Sequence, residues 1–264
     1  MDVAEALVEH VIDTDYKDIP GSVVQATKHH ILHTLATIIG GSNTAGCEAV
    51  ASVLKEWGGK EESTVLVYGG RLPAVHAAMA NAVMAHALDY CMNDDRTHYK
   101  SSVVVVPVSL AMAERERATG EQLLAAVCLG VETGIRIAQA IRPKPAHALS
   151  WLIGCFASAA AAGKLLKLDK EQMLDALGIA YCQVAPAGYG NIRHPALSKR
   201  LGPGLAARAG VFAALLAQQG FRSGRNVLQG PSGYFRTFYG QEGDLEELIA
   251  HLGSRFEIDN VGPK

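Results

Sequence analysis

The chain has 264 residues, 24 of them basic and 26 acidic, for a formal net charge of −2, and no basic block stands out. That balance lacks the electrostatic footprint of a nucleic-acid binder, and the length is enough to bury a large core. Charged residues make up 19%, aromatics only 6%, and alanine is abundant, which fits close-packed helices with small residues at their contacts rather than a β-sandwich.

Apolar positions recur at helical spacing along most of the chain. Val3, Ala6, Leu7 and Val11 open an acidic, amphipathic first helix, unlike a signal or transit peptide, that ends before Ile19-Pro20. A second helix is expected over Val23–Ile39, stopped by Gly40-Gly41, and a third over Cys47–Trp57, stopped by Gly58-Gly59. Ser63–Tyr68 reads as a short β-branched strand with no evident partner. Helices follow over Ala74–Leu88, Ser102–Arg117 and Gly120–Ile141, the last opened by a capping box from Thr119 to Gln122. Trp151–Leu166, Gln172–Gln183 (capped by Asp169) and Pro203–Gln219 complete the long helices, and shorter pieces end at Leu245–Leu252.

The apolar run Ser102–Met112 is too short for a bilayer, which needs about 20 residues. Cys47, Cys91, Cys128, Cys155 and Cys182 are odd in number and form no CxxC pair, the pattern of reduced thiols. A cytoplasmic protein with one mainly helical, all-α domain over residues 1–264 is expected, binding neither nucleic acid nor membrane.

The densest chemistry lies at His86-Ala-Leu-Asp89-Tyr90 and the following Asp94, Asp95 and His98. Ionisable groups crowded at the end of so apolar a helix need partners, because burying unpaired charge is costly. His86, one turn before Asp89, is placed to orient the carboxylate or cap the helix. His98 is a candidate acid–base group, histidine being the side chain most easily poised near neutrality. His86, Asp89, Asp94 and His98 are metal-ligand types, but their spacing matches no known metal motif. His147 precedes the helix that starts near Trp151, whose N-terminus favours anions. Lys199 and Arg200, with Arg208 beyond Leu201-Gly-Pro-Gly204, supply a basic cluster able to hold a carboxylate. No P-loop, nucleophile elbow, HExxH or Rossmann fingerprint is present.

Several stretches, in order, resemble one family: Ile39-Gly-Gly-Ser42, Arg71-Leu-Pro-Ala74, Ala77-Ala-Met-Ala-Asn81, His86-Ala-Leu-Asp89-Tyr90, Pro107–Glu114, Gly154–Leu168, Ser198-Lys-Arg-Leu-Gly-Pro-Gly204, Ala206–Gly210 and Gly230-Pro-Ser-Gly-Tyr-Phe235. Together they resemble the MmgE/PrpD family, which includes 2-methylcitrate dehydratases, cis-aconitate decarboxylases and an iminodisuccinate epimerase. The resemblance implies a large all-α domain and a smaller α+β lid, usually as a homodimer, with the active site between them and no metal or cofactor. On that reading Asp89 is the aspartate of the family's H-x-x-D motif, Lys199 its K-R lysine, His147 a family histidine, and Lys264 the lysine after Phe256-Glu-Ile258.

Two departures stand out. Cys91-Met-Asn separates Tyr90 from Asp94-Asp95, and His98-Tyr99-Lys100 replaces the family's His-Pro. Counted back from Pro107, the histidine's place holds Lys100, so His98 serves only if the loop bulges. The resemblance stops where a lid would begin, so the lid is expected to be missing, truncated or supplied by a separate chain. It implies a lyase acting on a small di- or tricarboxylate, 2-methylcitrate dehydratase-like, with Asp89, His98, His147 and Lys199 at the reacting centre and Lys199, Arg208, Lys100 and Lys264 binding carboxylates. The alternatives are an amino-diacid epimerase or racemase, a cis-aconitate decarboxylase, and a non-catalytic or split-enzyme module needing a partner chain.

Overall fold

A computed structural model describes residues 2–142, 150–183 and 197–264. Its helices, in chain order, are α1 Val3–Asp13, α2 Gly21–Gly41, α3 Cys47–Trp57, α4 Ala74–His86, α5 Ser102–Glu116, α6 Gly120–Ala140, α7 Ser150–Leu165, α8 Lys170–Tyr181, α9 Ser198–Gln218, α10 Tyr234–Tyr239 and α11 Leu245–Ile249. The fold is all-α, as the apolar periodicity requires.

The centre is built from helices with no polar face. Every residue of α4 except Val75 and His76 is buried, and α7 is buried almost all round. Such helices pack closely only where a side chain is missing. At Gly210 of α9 a methyl group would overlap Ser158 Cβ on α7, so the two backbones meet there without an intervening side chain. Helices that bear one apolar stripe, such as α1 and α3, form the outside.

Two expected caps are present. Thr119 Oγ1 accepts the Gln122 N–H while Gln122 Oε1 accepts that of Thr119, and Asp169 and Gln172 repeat the arrangement at α8. The expected strand over Ser63–Tyr68 is shorter than its composition implies. Only Ser63–Thr64 (β1) is extended and paired, and its antiparallel partner is Arg71–Leu72 (β2). The intervening residues make the reversal, with Val65 N–H donating to Gly70 C=O at 3.0 Å and Val67 at φ +65°. A second antiparallel pair, unforeseen, joins Met92–Asp94 (β3) to Val261–Pro263 (β4).

Helix α9 starts at Ser198, five residues before the expected Pro203 start. Proline inside the helix forfeits its own N–H bond, here the one that would reach Lys199 C=O, and its ring crowds that carbonyl, yet α9 continues through it. By length and composition α6 and α9 would each suffice to cross a membrane, which the apolar-run reading of Ser102–Met112 overlooked, but their apolar residues are largely packed against neighbouring helices of this domain.

Candidate active site

Helix α4 ends at His86, and the chain reverses through Asp89, whose N–H donates to His86 C=O at 2.9 Å and whose φ is +59°. Aspartate is among the few non-glycine residues that enter this left-handed region readily. The turn points the carboxylate at three lysines from three different parts of the chain. Lys100, from the segment between β3 and α5, donates to Asp89 Oδ1 at 2.6 Å. Lys199, in the first turn of α9, donates to Oδ2 at 2.9 Å, and Lys264, just beyond β4, donates to the same oxygen at 3.0 Å.

Each lysine is placed by ordinary packing. At Gly204 a methyl group would lie 2.6 Å from Val83 Cγ2 and 2.9 Å from Met79 C=O, so α9 lies directly on α4. With Gly204 beside Met79 and Val83 and Lys199 beside Asp89, the two helices run antiparallel, and the start of α9 reaches the end of α4. Lys264 is carried by the β3–β4 ladder, which its own N–H extends by donating to Cys91 C=O at 3.0 Å. Lys100 N–H meets Ser150 Oγ at the start of α7.

The cluster runs from wall to mouth. Side-chain exposure rises from 17% at Lys100 to 31% at Asp89, 34% at Lys199 and 47% at Lys264. Burial pushes the Asp89 pKa up, but the hydrogen bonds and charges of the lysines overcome it and hold the carboxyl well below its usual range. His86 is buried with Nδ1 3.2 Å from Cys91 Sγ and 3.8 Å from Asp89 Oδ1, and its ring lies edge-on to Trp151 at 4.7 Å. Burial, aided by the Lys100 charge, lowers its pKa to about 3. Burial likewise pushes the Cys91 thiol up to about 12. The floor of the site is therefore a neutral imidazole against a neutral thiol, and among the described residues three ammoniums face one carboxylate, an excess of two positive charges.

His86, Asp89 and Cys91 also bring their ligand atoms within 4.8 Å of one another. These are zinc-ligand types. A cation would have to drive the proton off Cys91 and displace ammoniums from Asp89, so the residues present suit an anion better than a metal.

The remaining site residues expected from sequence are dispersed. His98 is exposed, at φ +57°, in the turn whose Asp94 C=O accepts its N–H, and Lys100 rather than His98 stands at 2.6 Å from Asp89. Asp94 is buried and engaged by Arg96 Nε at 2.8 Å and Thr97 Oγ1 at 2.7 Å. Arg208 is not brought to Asp89. Nine residues along α9 from Lys199 put it about 13 Å further on and about half a turn round, where it is exposed and its charge acts on His76 of α4. Arg200 donates to Ala45 C=O instead. His147 lies outside the described residues. Sequence reading missed Trp151 and Cys91, which carry no motif and are recognised only by their contacts with His86.

Three buried histidines are held neutral, His86 near 3 and His10 and His30 near 4 (burial being the largest cause in each), against an ordinary 6.5. A folded-state pKa below the unfolded one stabilises above pH 6.5 and loses that contribution as the pH falls. Denaturant unfolding at pH 7.5 and pH 5 is expected to show the folded state weaker at pH 5, by about 1–2 kcal/mol per histidine. Ring-proton NMR that finds these rings protonated in the folded state at pH 5 would overturn the expectation.

A family model for the MmgE/PrpD N-terminal domain matches residues 5–246. The chain belongs to this family. Among MmgE/PrpD relatives, cis-aconitate decarboxylase of Aspergillus terreus is 30% identical over 252 residues, covering 90% of this chain and 51% of the relative. The Homo sapiens cis-aconitate decarboxylase is 33% identical over 229 residues, 82% of this chain and 46% of its own length. A cis-aconitate decarboxylase-like protein of Aspergillus oryzae is 28% identical over 279 residues, covering 99% of this chain and 58% of the relative. The chain thus spans about half the length of the curated relatives it matches.

Proposed function

We propose that this chain forms the helical part of a lyase that acts on a small di- or tricarboxylate, with decarboxylation of a cis-aconitate-like substrate the first reaction to test. The observation that carries the reading is the Asp89 cluster, whose excess of two positive charges calls for a substrate bearing at least two carboxylates. Lys199 and Lys264, on the open side, hold carboxylates. Loss of CO2 leaves an electron pair delocalised onto a neighbouring carboxylate as an enediolate, and fixed ammoniums stabilise that charge where it develops. The Lys100–Asp89 pair then governs the proton delivered to carbon. In a dehydratase the same pair would remove a proton as hydroxide leaves. Epimerisation of an amino-diacid is the second reading, favoured by an amine at Lys100 beside Asp89. Water must be kept from such an intermediate, and with Lys264 about half exposed, a second copy of the chain or a lid-bearing segment is proposed to cover the mouth.

Proton NMR in deuterated water with cis-aconitate, 2-methylcitrate and iminodisuccinate distinguishes these outcomes. A decarboxylated product, a new olefin, or deuterium at a substrate α-carbon identifies each reaction in turn. Silence with all three supports a helical module that works only with a partner. Lys199→Ala is expected to lower kcat/KM by at least about tenfold, the loss of one charge-assisted hydrogen bond. Unchanged turnover would remove Lys199 from carboxylate binding.

A further inference from the structure

Two of the three lysines on Asp89 lack helical support. Lys100 sits in the segment that follows β3, and Lys264 sits just past a three-residue strand. A bridge outside the site ties both segments to the core. Arg96 Nε donates to Asp94 Oδ1 at 2.8 Å, and Arg96 Nη1 pairs with Glu257 Oε2 at 2.8 Å. Asp94 organises the turn leading to Lys100, accepting from Thr97 Oγ1 at 2.7 Å while its N–H donates to Tyr99 C=O at 3.1 Å. Glu257, with no exposed side-chain surface, lies seven positions before Lys264 and is fixed to α6. It accepts from Gln139 Nε2 at 2.9 Å, and its N–H donates to Glu132 Oε2 at 2.6 Å. Asp94 also pairs with Val261 in the β3–β4 ladder, so bridge and ladder close one loop around the two lysine-bearing segments.

We propose that Arg96 and Glu257 are positioning residues: their bridge sets Lys100 and Lys264 against Asp89, and so shapes the carboxylate-binding mouth without touching it. The carboxylate part of this inference rests on the function proposed above; the mechanical part does not. Glu257 holds a fixed place on the core, and Arg96 reaches it from the turn with a second nitrogen committed to Asp94. A single-nitrogen ammonium cannot make both contacts in that geometry. Arg96 is 40% exposed, so replacing it leaves the core packing intact.

Hydrogen exchange of the Lys264 amide, which donates to Cys91 C=O, reads the mechanical part directly. Arg96→Ala is expected to speed that exchange by about tenfold or more and Arg96→Lys by less, with protection of central α6 amides unchanged. Equal Lys264 protection in the parent and Arg96→Ala proteins would overturn the proposal. Citrate, as a tricarboxylate probe, reads the other part by calorimetry. Arg96→Ala and Lys264→Ala are each expected to weaken citrate by about tenfold, and the double variant by less than the product of the two losses, because Arg96 acts partly through the Lys264 ammonium. Fully additive losses would overturn the positioning role. If the parent does not bind citrate, the function proposed above fails on that probe, while the exchange result still decides whether the bridge holds Lys264.

Discussion

Asp89→Asn is expected to cut turnover by about 10²–10⁴-fold and to make the fold sensitive to ionic strength. Asparagine keeps the shape of the side chain, but it accepts through one oxygen and turns an amide toward the lysines. Lys100, Lys199 and Lys264 would then converge with no anion among them. The loss of charge-assisted hydrogen bonds is put at about 1–3 kcal/mol at low salt, with the partial exposure of the cluster holding it to that range. Citrate or sulfate should restore the melting temperature of the variant by occupying the vacant anion position, and should move the parent much less. The pH dependence has a definite sign. Asp89 is depressed below its ordinary 3.8, so its contribution is present above that value and fades as the pH falls further. The variant should lack that acid limb. An Asp89→Asn variant as stable as the parent at low salt, and indifferent to anions, would show that the three lysines do not depend on the carboxylate to offset their mutual repulsion.

What the sequence disclosed divides along the range of the interactions. Helices with one apolar face, and ends marked by chemistry such as Gly58 after Trp57 or Thr119 before Gly120, were legible because helix periodicity and caps are local. The Ser198 start of α9 was obscured by Pro203, which reads as a beginning and is in fact an interior residue. Lys199 was legible as a countercharge in kind, although 110 positions separate it from Asp89. Arg208 was grouped with it by proximity in sequence, whereas helical rotation between the two already sends them to opposite faces. The β3–β4 pairing joins residues too distant for any local pattern, so Lys264 was reachable only through family resemblance. Lys100 could be found by counting back from Pro107, and the structure places its ammonium at Asp89 where the expected histidine does not stand.

The largest stability effect is expected at a pair that carried no motif. Glu132 and Arg136 occupy one face of α6 inside an otherwise apolar stretch, and both side chains are wholly buried. Arg136 Nε donates to Glu132 Oε1 at 2.5 Å, and the rest of the guanidinium donates to the carbonyls of Leu248, Ala250 and Arg255 at 3.1, 2.7 and 3.0 Å. One side chain thus satisfies three carbonyls of the segment leading to Glu257. Arg136→Met should cost about 3–5 kcal/mol, since it strips a buried carboxylate of its countercharge and three carbonyls of their donor. Burial raises Glu132 to about 7 even with Arg136 beside it. A folded pKa above the ordinary 4.5 favours the fold at low pH and loses that contribution as the pH rises through 7. Arg136→Met should therefore be more damaging at pH 8, where Glu132 must ionise alone, than at pH 5.5, where it stays protonated. Comparing the difference in unfolding free energy between parent and variant at those two values checks the sign. Replacing Glu132 by Met as well should remove the share of the pH dependence that Glu132 contributes and recover only part of the stability, because the apolar pair removes the stranded charge but returns no donor to the three carbonyls. A double variant as stable as the parent would mean that the carbonyls find other donors, and that Arg136 serves only to neutralise Glu132.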